Sequence, residues 1–198
     1  MKALWNERYA QKEFVYGRQP NEFLKNYIDN YSPGSILLPA EGEGRNAVYA
    51  ARKGWQVYAL DYSIEGQKKA LEWANQNKVS INYELADLTE WKSQQKFDAI
   101  ALIYAHFPTH KRIQVHQKII NSLKPGGTII LEAFSKKQIE FDSGGPKDPE
   151  MLFSTELLKE DFKSLQIDFL QERLIELNEG RFHLGEASIV RLIAGRPK

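Results

Sequence analysis

The 198-residue sequence predicts an α/β fold: a seven-stranded, mostly parallel sheet with helices on both faces and a C-terminal antiparallel hairpin. Three observations predict it. Apolar runs alternate with helical periods from Ile36 to Phe134. A glycine-rich turn, Gly42-Glu43-Gly44, joins the first of those runs directly to a helical stretch. Two long apolar runs near the C-terminus, 168–177 and 183–194, are joined only by Asn178-Glu179-Gly180-Arg181, a spacing that forces antiparallel strands.

In order, Trp5 to Tyr16 is rich in aromatics and charge, with weak helical periodicity. Pro20-Asn21 starts a helix through Tyr31, capped by Asn21. Pro33-Gly34 turns the chain into a first strand, Ile36 to Leu38, and Arg45 to Lys53 is the helix after the glycine turn. Val57 to Leu60 is the second strand. Ser63 caps a helix to Asn77, with Leu71 and Ala74 on its buried face. Ile81 to Leu85 and Phe97 to Tyr104 are strands three and four. Thr109 caps a helix to Leu123, with Ile113, Ile119, Ile120 and Leu123 inward. Lys124-Pro125-Gly126-Gly127 stops it and launches strand five, Thr128 to Phe134. A helix from Ser154 to Leu165 precedes the hairpin. No repeat or linker interrupts this, so the chain reads as one domain, with residues 1–32 as an N-terminal lid and helix segment and 33–198 as the sheet core.

Composition excludes several functions. The formal net charge is +1, which gives no electrostatic case for nucleic acid or a membrane surface. There are no cysteines, hence no disulfide, thiolate metal site or cysteine nucleophile. No apolar run approaches a membrane span and the N-terminus lacks a signal peptide's apolar stretch, so a cytoplasmic protein is expected. The four histidines, His106, His110, His116 and His183, show no metal-ligand spacing, and Pro108 separates the one pair four residues apart; no metal is expected.

Residues 35–61 concentrate the functional signal. Strand, glycine turn, helix and strand end on Asp61, a βαβ unit that can hold a nucleoside. Glycines admit a close ligand, and an acid about 20 residues on can bind ribose hydroxyls. Gly42 to Ala47 also matches the dinucleotide pattern G-x-G-x-x-G/A. Three features oppose an NAD(P)-dependent oxidoreductase. The sheet uses up the chain, leaving no substrate domain. A hairpin stands where a second parallel half would be. Asp87 and the Tyr104–His106 stretch crowd the crevice around a single nucleoside. No P-loop pattern exists.

Five parallel strands and a terminal hairpin, with acids after strands two and three, resemble the Rossmann-like class I S-adenosylmethionine-dependent methyltransferases. Trp5-Asn6-Glu7-Arg8-Tyr9, Tyr16-Gly17, Pro20-Asn21, Glu41 to Asn46 and Gly144 to Asp148 are similar to the small bacterial tellurite-resistance and thiopurine methyltransferase group. The resemblance implies S-adenosyl-L-methionine as cofactor. Gly42 and Gly44 would form the turn beneath it, Asp61 followed by Tyr62 would grip the ribose, and Asp87 with Leu88 would meet the adenine edge. Tyr104 and Ala105 would close on the methionine side, with Phe107 shielding the sulfonium. The motif's usual leading acid and first glycine are replaced by Leu38-Pro39-Ala40, and Glu41 is the candidate substitute for that acid. Glu43 reads as a solvated loop residue.

In-line methyl transfer is mostly a matter of positioning, which supplies about 7–11 kcal/mol of barrier lowering. An oxygen or amine acceptor must also lose a proton. His106, just past strand four, is placed to take it, or else packs in its loop. Trp5, Arg8, Tyr9 and Tyr16 form the expected lid, unless they pack on the first helix. Gly145 and Lys147 belong to a loop leaving strand five, where Lys147 attracts an anionic acceptor or is simply solvated. The expected partner is a small-molecule methyl acceptor, with a cofactor-binding but silent protein as the alternative. The Asn/Asp-Pro-Pro-aromatic motif of nucleic-acid amino methylation is missing, Tyr104-Ala105-His106-Phe107-Pro108 standing in its place.

Overall fold

The computed structural model describes residues 2–198. Met1, the first residue of the expected lid segment, lies outside the described residues. The elements are α1 (Lys2–Tyr9), α2 (Glu22–Asn30), β1 (Ser35–Pro39), α3 (Arg45–Arg52), β2 (Gln56–Asp61), α4 (Ile64–Gln76), β3 (Asn82–Leu85), β4 (Phe97–Ile103), α5 (Thr109–Asn121), β5 (Leu123–Phe134), α6 (Thr155–Asp161), β6 (Gln166–Asn178) and β7 (Leu184–Gly195). The seven strands form one sheet in the order β3-β2-β1-β4-β5-β7-β6. β1 to β5 pair in parallel, and β7 lies antiparallel between β5 and β6. The predicted fold class is the observed one.

Strand order reverses between β1 and β4, both of which run in the same direction. The connections leaving their C-terminal ends go opposite ways and open a crevice, the place where such sheets bind ligands. Both strands are buried on two faces, which is why they read as continuous apolar runs rather than alternating ones. Leu24, Ile28, Val48, Ala70 and Ala74 from α2 to α4 cover one face. Val115, Ile119, Phe153 and Phe162 around α5 and α6 cover the other. No described helix is long and apolar enough to cross a membrane.

Helix starts follow the predicted chemistry. Asn21 Oδ1 accepts the Leu24 amide, Ser63 Oγ the Gly66 amide and Ser154 Oγ the Leu157 amide. At α5, however, Pro108 occupies the cap and the Thr109 hydroxyl bonds Glu150 instead. Two face assignments need correction: Leu71 and Ile113 are exposed, at 43% and 53%. The inward face of α4 is Gly66, Ala70 and Ala74, a small-residue stripe that lets the helix press on the glycine turn. The inward register of α5 is set by Arg112 and His116, which both bond Asp161 of α6. Leu123 is buried, but as the first residue of β5, opposite Phe97.

Candidate functional site

The crevice floor is the turn after β1. Ala40, Gly42 and Gly44 all have positive φ, 56°, 62° and 85°, which curls the chain tightly before α3. A Cβ on Gly44 would stand 2.6 Å from that of Ala70, so glycine there is a packing requirement as well as a conformational one. Glu41, the candidate for the missing acid, is buried against the start of α3. Its Oε1 accepts the amides of Asn46 (2.8 Å) and Ala47 (2.7 Å), satisfying the first turn of α3. Burial pushes its carboxyl up to about 7.

Asp61, at the end of β2, is buried beside this turn. Its Oδ2 accepts the Gly42 amide (3.1 Å) and its Oδ1 the Ser63 amide (2.8 Å). Burial raises its pKa, opposed by those bonds and the Tyr62 amide. No salt bridge to a cation is found for it among the described residues. A carboxylate has about four lone-pair sites, so each oxygen retains capacity for one further donor. This is the fit expected for two ribose hydroxyls. Tyr62 is half-buried, its hydroxyl pushed up by burial and by the charges of Asp61 and Asp87. Asp87 is exposed and accepts both the amide and the hydroxyl of Thr89 at 2.8 Å. Leu88 and Ala105 are buried in the α5-side core, where Phe107 also packs.

The N-terminal segment lies across this floor. Asn6 Oδ1 accepts Ser63 Oγ (2.7 Å) and the Ile64 amide, docking α1 on the start of α4. Tyr9 is buried with its hydroxyl over Gly42, 2.5 Å from where a Cβ would stand. Arg8 bonds the Tyr16 hydroxyl (2.9 Å), with its guanidinium 4.8 Å from the Trp5 ring and 4.4 Å from Phe182. Glu43 is buried rather than solvated, because it anchors this segment: Oε2 accepts the Val15 amide (2.8 Å) and Oε1 meets Lys69 (2.7 Å). Arg45 bonds the Tyr16 carbonyl and Glu179 of the hairpin turn.

At the end of β4, Tyr104 has φ 51° and is pinned to Glu132 of β5 twice, amide to carbonyl (2.7 Å) and hydroxyl to Oε1 (2.9 Å). Glu132 also accepts Asn21 Nδ2 and Arg191 Nε, each at 2.5 Å. Both nitrogens of His106 are engaged. Nδ1 donates to the Met151 carbonyl (2.8 Å) and Nε2 faces the Phe134 amide (3.4 Å). Burial lowers its pKa to about 4. Of the two readings of His106, these contacts describe the packed one. Gly145 lies against the Phe134 ring. Lys147 is exposed and pairs with Asp142 (3.0 Å).

Sequence reasoning passed over His183, Glu179, Glu132 and Arg191. Glu132 and Arg191 had a visible signal, each the one charge in an otherwise apolar strand segment (Thr128 to Phe134, Ala187 to Gly195). His183 had none, since only folding brings it against Tyr16, Tyr104 and Phe134.

Residues 36–127, spanning the glycine turn, Asp61, Asp87 and Tyr104, match the family model for the methyltransferase domain. The ubiquinone biosynthesis O-methyltransferase of Rickettsia canadensis is 24% identical over 115 residues, 58% of this chain and 49% of that protein, so the chain spans about half the length of this relative. Among solved structures, the N-methyltransferase NodS from Bradyrhizobium japonicum with S-adenosylhomocysteine superimposes with TM-score 0.78 at 10% identity, covering 100% of this chain and 98% of its own. TehB from Haemophilus influenzae gives 0.74 at 17% identity, covering 98% and 66%. Residues 36–127 thus match a methyltransferase domain, and the chain as a whole is similar in fold to NodS and TehB.

Proposed function

We propose that the chain transfers the methyl group of S-adenosylmethionine to a small-molecule acceptor in the cytoplasm, as a single domain in which residues 1–32 cover the core formed by 33–198. The observation that carries this reading is Asp61: a buried carboxylate with no cation bound among the described residues, held by two backbone amides beside a positive-φ glycine turn. The cofactor supplies an electrophilic methyl group. The chain's residues bind and orient. Gly42 and Gly44 let the backbone approach the ligand, Asp61 takes the ribose, Tyr62, Asp87 and Leu88 border the adenine, and Tyr104 and Ala105 the methionine end. Trp5, Arg8, Tyr9 and Tyr16 exclude water and restrict the acceptor to a small molecule. The net charge of +1 gives no support to a nucleic-acid acceptor.

Calorimetric titration with S-adenosylmethionine, S-adenosylhomocysteine and NADH, beside Asp61→Ala, tests it. Two hydrogen bonds to a charged acceptor are worth about 1.5–3 kcal/mol each, so the variant is expected to lose at least about 100-fold in affinity for the first two. Binding of NADH alone, or undiminished binding by the folded variant, would refute the reading.

A further inference from the structure

His183 and Glu179 form a carboxylate–imidazole pair at this site, on the turn between β6 and β7. Glu179 Oε2 accepts His183 Nδ1 at 3.3 Å and Arg45 at 2.9 Å, and Glu179 Oε1 accepts Asn21 Nδ2 at 3.2 Å. Nδ1 is thereby the protonated nitrogen, and Nε2 carries the lone pair. Among the described residues nothing hydrogen-bonds Nε2. The imidazole ring is 4.5 Å from those of both Tyr16 and Tyr104, and 5.2 Å from Phe134. It thus stands between the covering segment and the end of β4. His106 has neither property, since both its nitrogens are used.

We propose that His183 is the catalytic base of this chain, with Glu179 as its positioning residue, and that the acceptor is a protic nucleophile, a thiol or a hydroxyl. The proposal rests on the methyl-transfer reading above. The acceptor X–H bond breaks, its proton goes to His183 Nε2, and its electron pair forms the bond from X to the methyl carbon. The electron pair of the methyl–sulfur bond stays on sulfur. The positive charge moves from sulfur to the imidazolium, beside Glu179, and the proton then leaves to solvent. Burial lowers the His183 pKa, as do the charges of Arg45 and Arg8, while Glu179 opposes them, so the resting ring is neutral and can accept a proton. Burial alone would raise Glu179, but His183 and Arg45 outweigh it and hold the carboxyl down at about 2. The other titratable groups facing the ring are Tyr16, Tyr104 and His106, with Glu132 behind Tyr104.

His183→Asn keeps a donor for Glu179 and removes the base. With S-adenosylhomocysteine affinity unchanged within about twofold, kcat/KM at pH 7 is expected to fall about 100-fold or more for 2-mercaptoethanol, which must lose its proton. The loss is expected to be small for 4-nitrothiophenol, which is already ionised, and to shrink for the first thiol as pH rises. A readout independent of turnover is carbethoxylation by diethyl pyrocarbonate, mapped by mass spectrometry on protein saturated with S-adenosylhomocysteine. His183, only 6% exposed but with Nε2 unpartnered, and the exposed His110 are expected to react, while His106, with both nitrogens hydrogen-bonded, and the buried His116 resist. In Glu179→Gln the pH midpoint of His183 modification is expected to move down. His183 unmodified while His110 reacts would overturn the proposal whether or not either thiol is turned over, and an equal loss with both thiols would overturn it where they are. Failure to bind S-adenosylhomocysteine would instead sink the methyl-transfer reading itself.

Discussion

Replacing Glu132 by alanine is expected to cost more stability than any other single truncation near the site. Glu132 lies in β5, 1% exposed, and accepts three donors: Arg191 Nε, Asn21 Nδ2 and Tyr104 Oη. Removing one member of a buried ion pair costs about 3–5 kcal/mol, because the remaining charge is stranded. Arg191 would be that charge, its side chain only 14% exposed and its guanidinium held over Phe23. For a chain of this size such a loss lowers Tm by about 6–20 °C. Glu132→Gln keeps the shape but puts an amide NH2 against donors, and is expected to lose about 1.5–3 kcal/mol.

Urea unfolding at pH 7 measures both losses, and a double-mutant cycle with Arg191→Met isolates the pair. A coupling above about 1 kcal/mol is expected, because contacting residues in one network are not additive. Additive effects, or an alanine variant within about 1 kcal/mol of the parent, would refute this account. The same position reports on the site. Tyr104 holds its positive φ through two bonds to Glu132, so the folded Glu132→Gln protein is also expected to bind S-adenosylhomocysteine more weakly.

Two further outcomes follow from the glycine turn. The folded protein keeps the Glu41 proton to about pH 7, whereas the ordinary glutamate value is 4.5, so the native state binds more protons between those values and loses stability as pH rises through them. Removing that dependence, Glu41→Gln is expected to gain up to about 3 kcal/mol over the parent at pH 8 and nothing at pH 4, by denaturant unfolding; parallel pH profiles would contradict it. Gly44→Ala meets both a left-handed backbone and the Ala70 side chain, and is expected to lose about 2–4 kcal/mol in the same assay. A smaller loss would mean that α4 yields easily.

What the sequence discloses is what depends on neighbours along the chain. The alternation of strands and helices, the hairpin, the Asn21 and Ser63 caps and the glycine turn follow from spacing and propensity, and the structure has them. Helix faces are less local. Leu71 looks like a core residue, but the approach of α4 to Gly44 selects Ala70 and Ala74 instead. Side-chain commitments are the least local of all. Nothing in the order of residues says that Glu41 turns to the α3 amides, or that Lys147 finds Asp142. The same holds for His106, whose position just past a strand end is favourable for catalysis, while its freedom to act depends on Met151, 45 residues away.

The covering segment and the hairpin turn are joined through one guanidinium. Arg45 bonds the Tyr16 carbonyl on one side and Glu179 on the other, and Glu179 in turn bonds His183. Arg45 is buried, so each of these contacts is made in a medium where an unmatched charge is costly. The position of Tyr16 and the orientation of His183 are therefore properties of one network rather than two. A substitution that loosens Tyr16 removes a partner from Arg45 and leaves its charge to Glu179 alone. Because Arg45 directly follows Gly44, the turn that floors the crevice also carries the group that ties cover to hairpin.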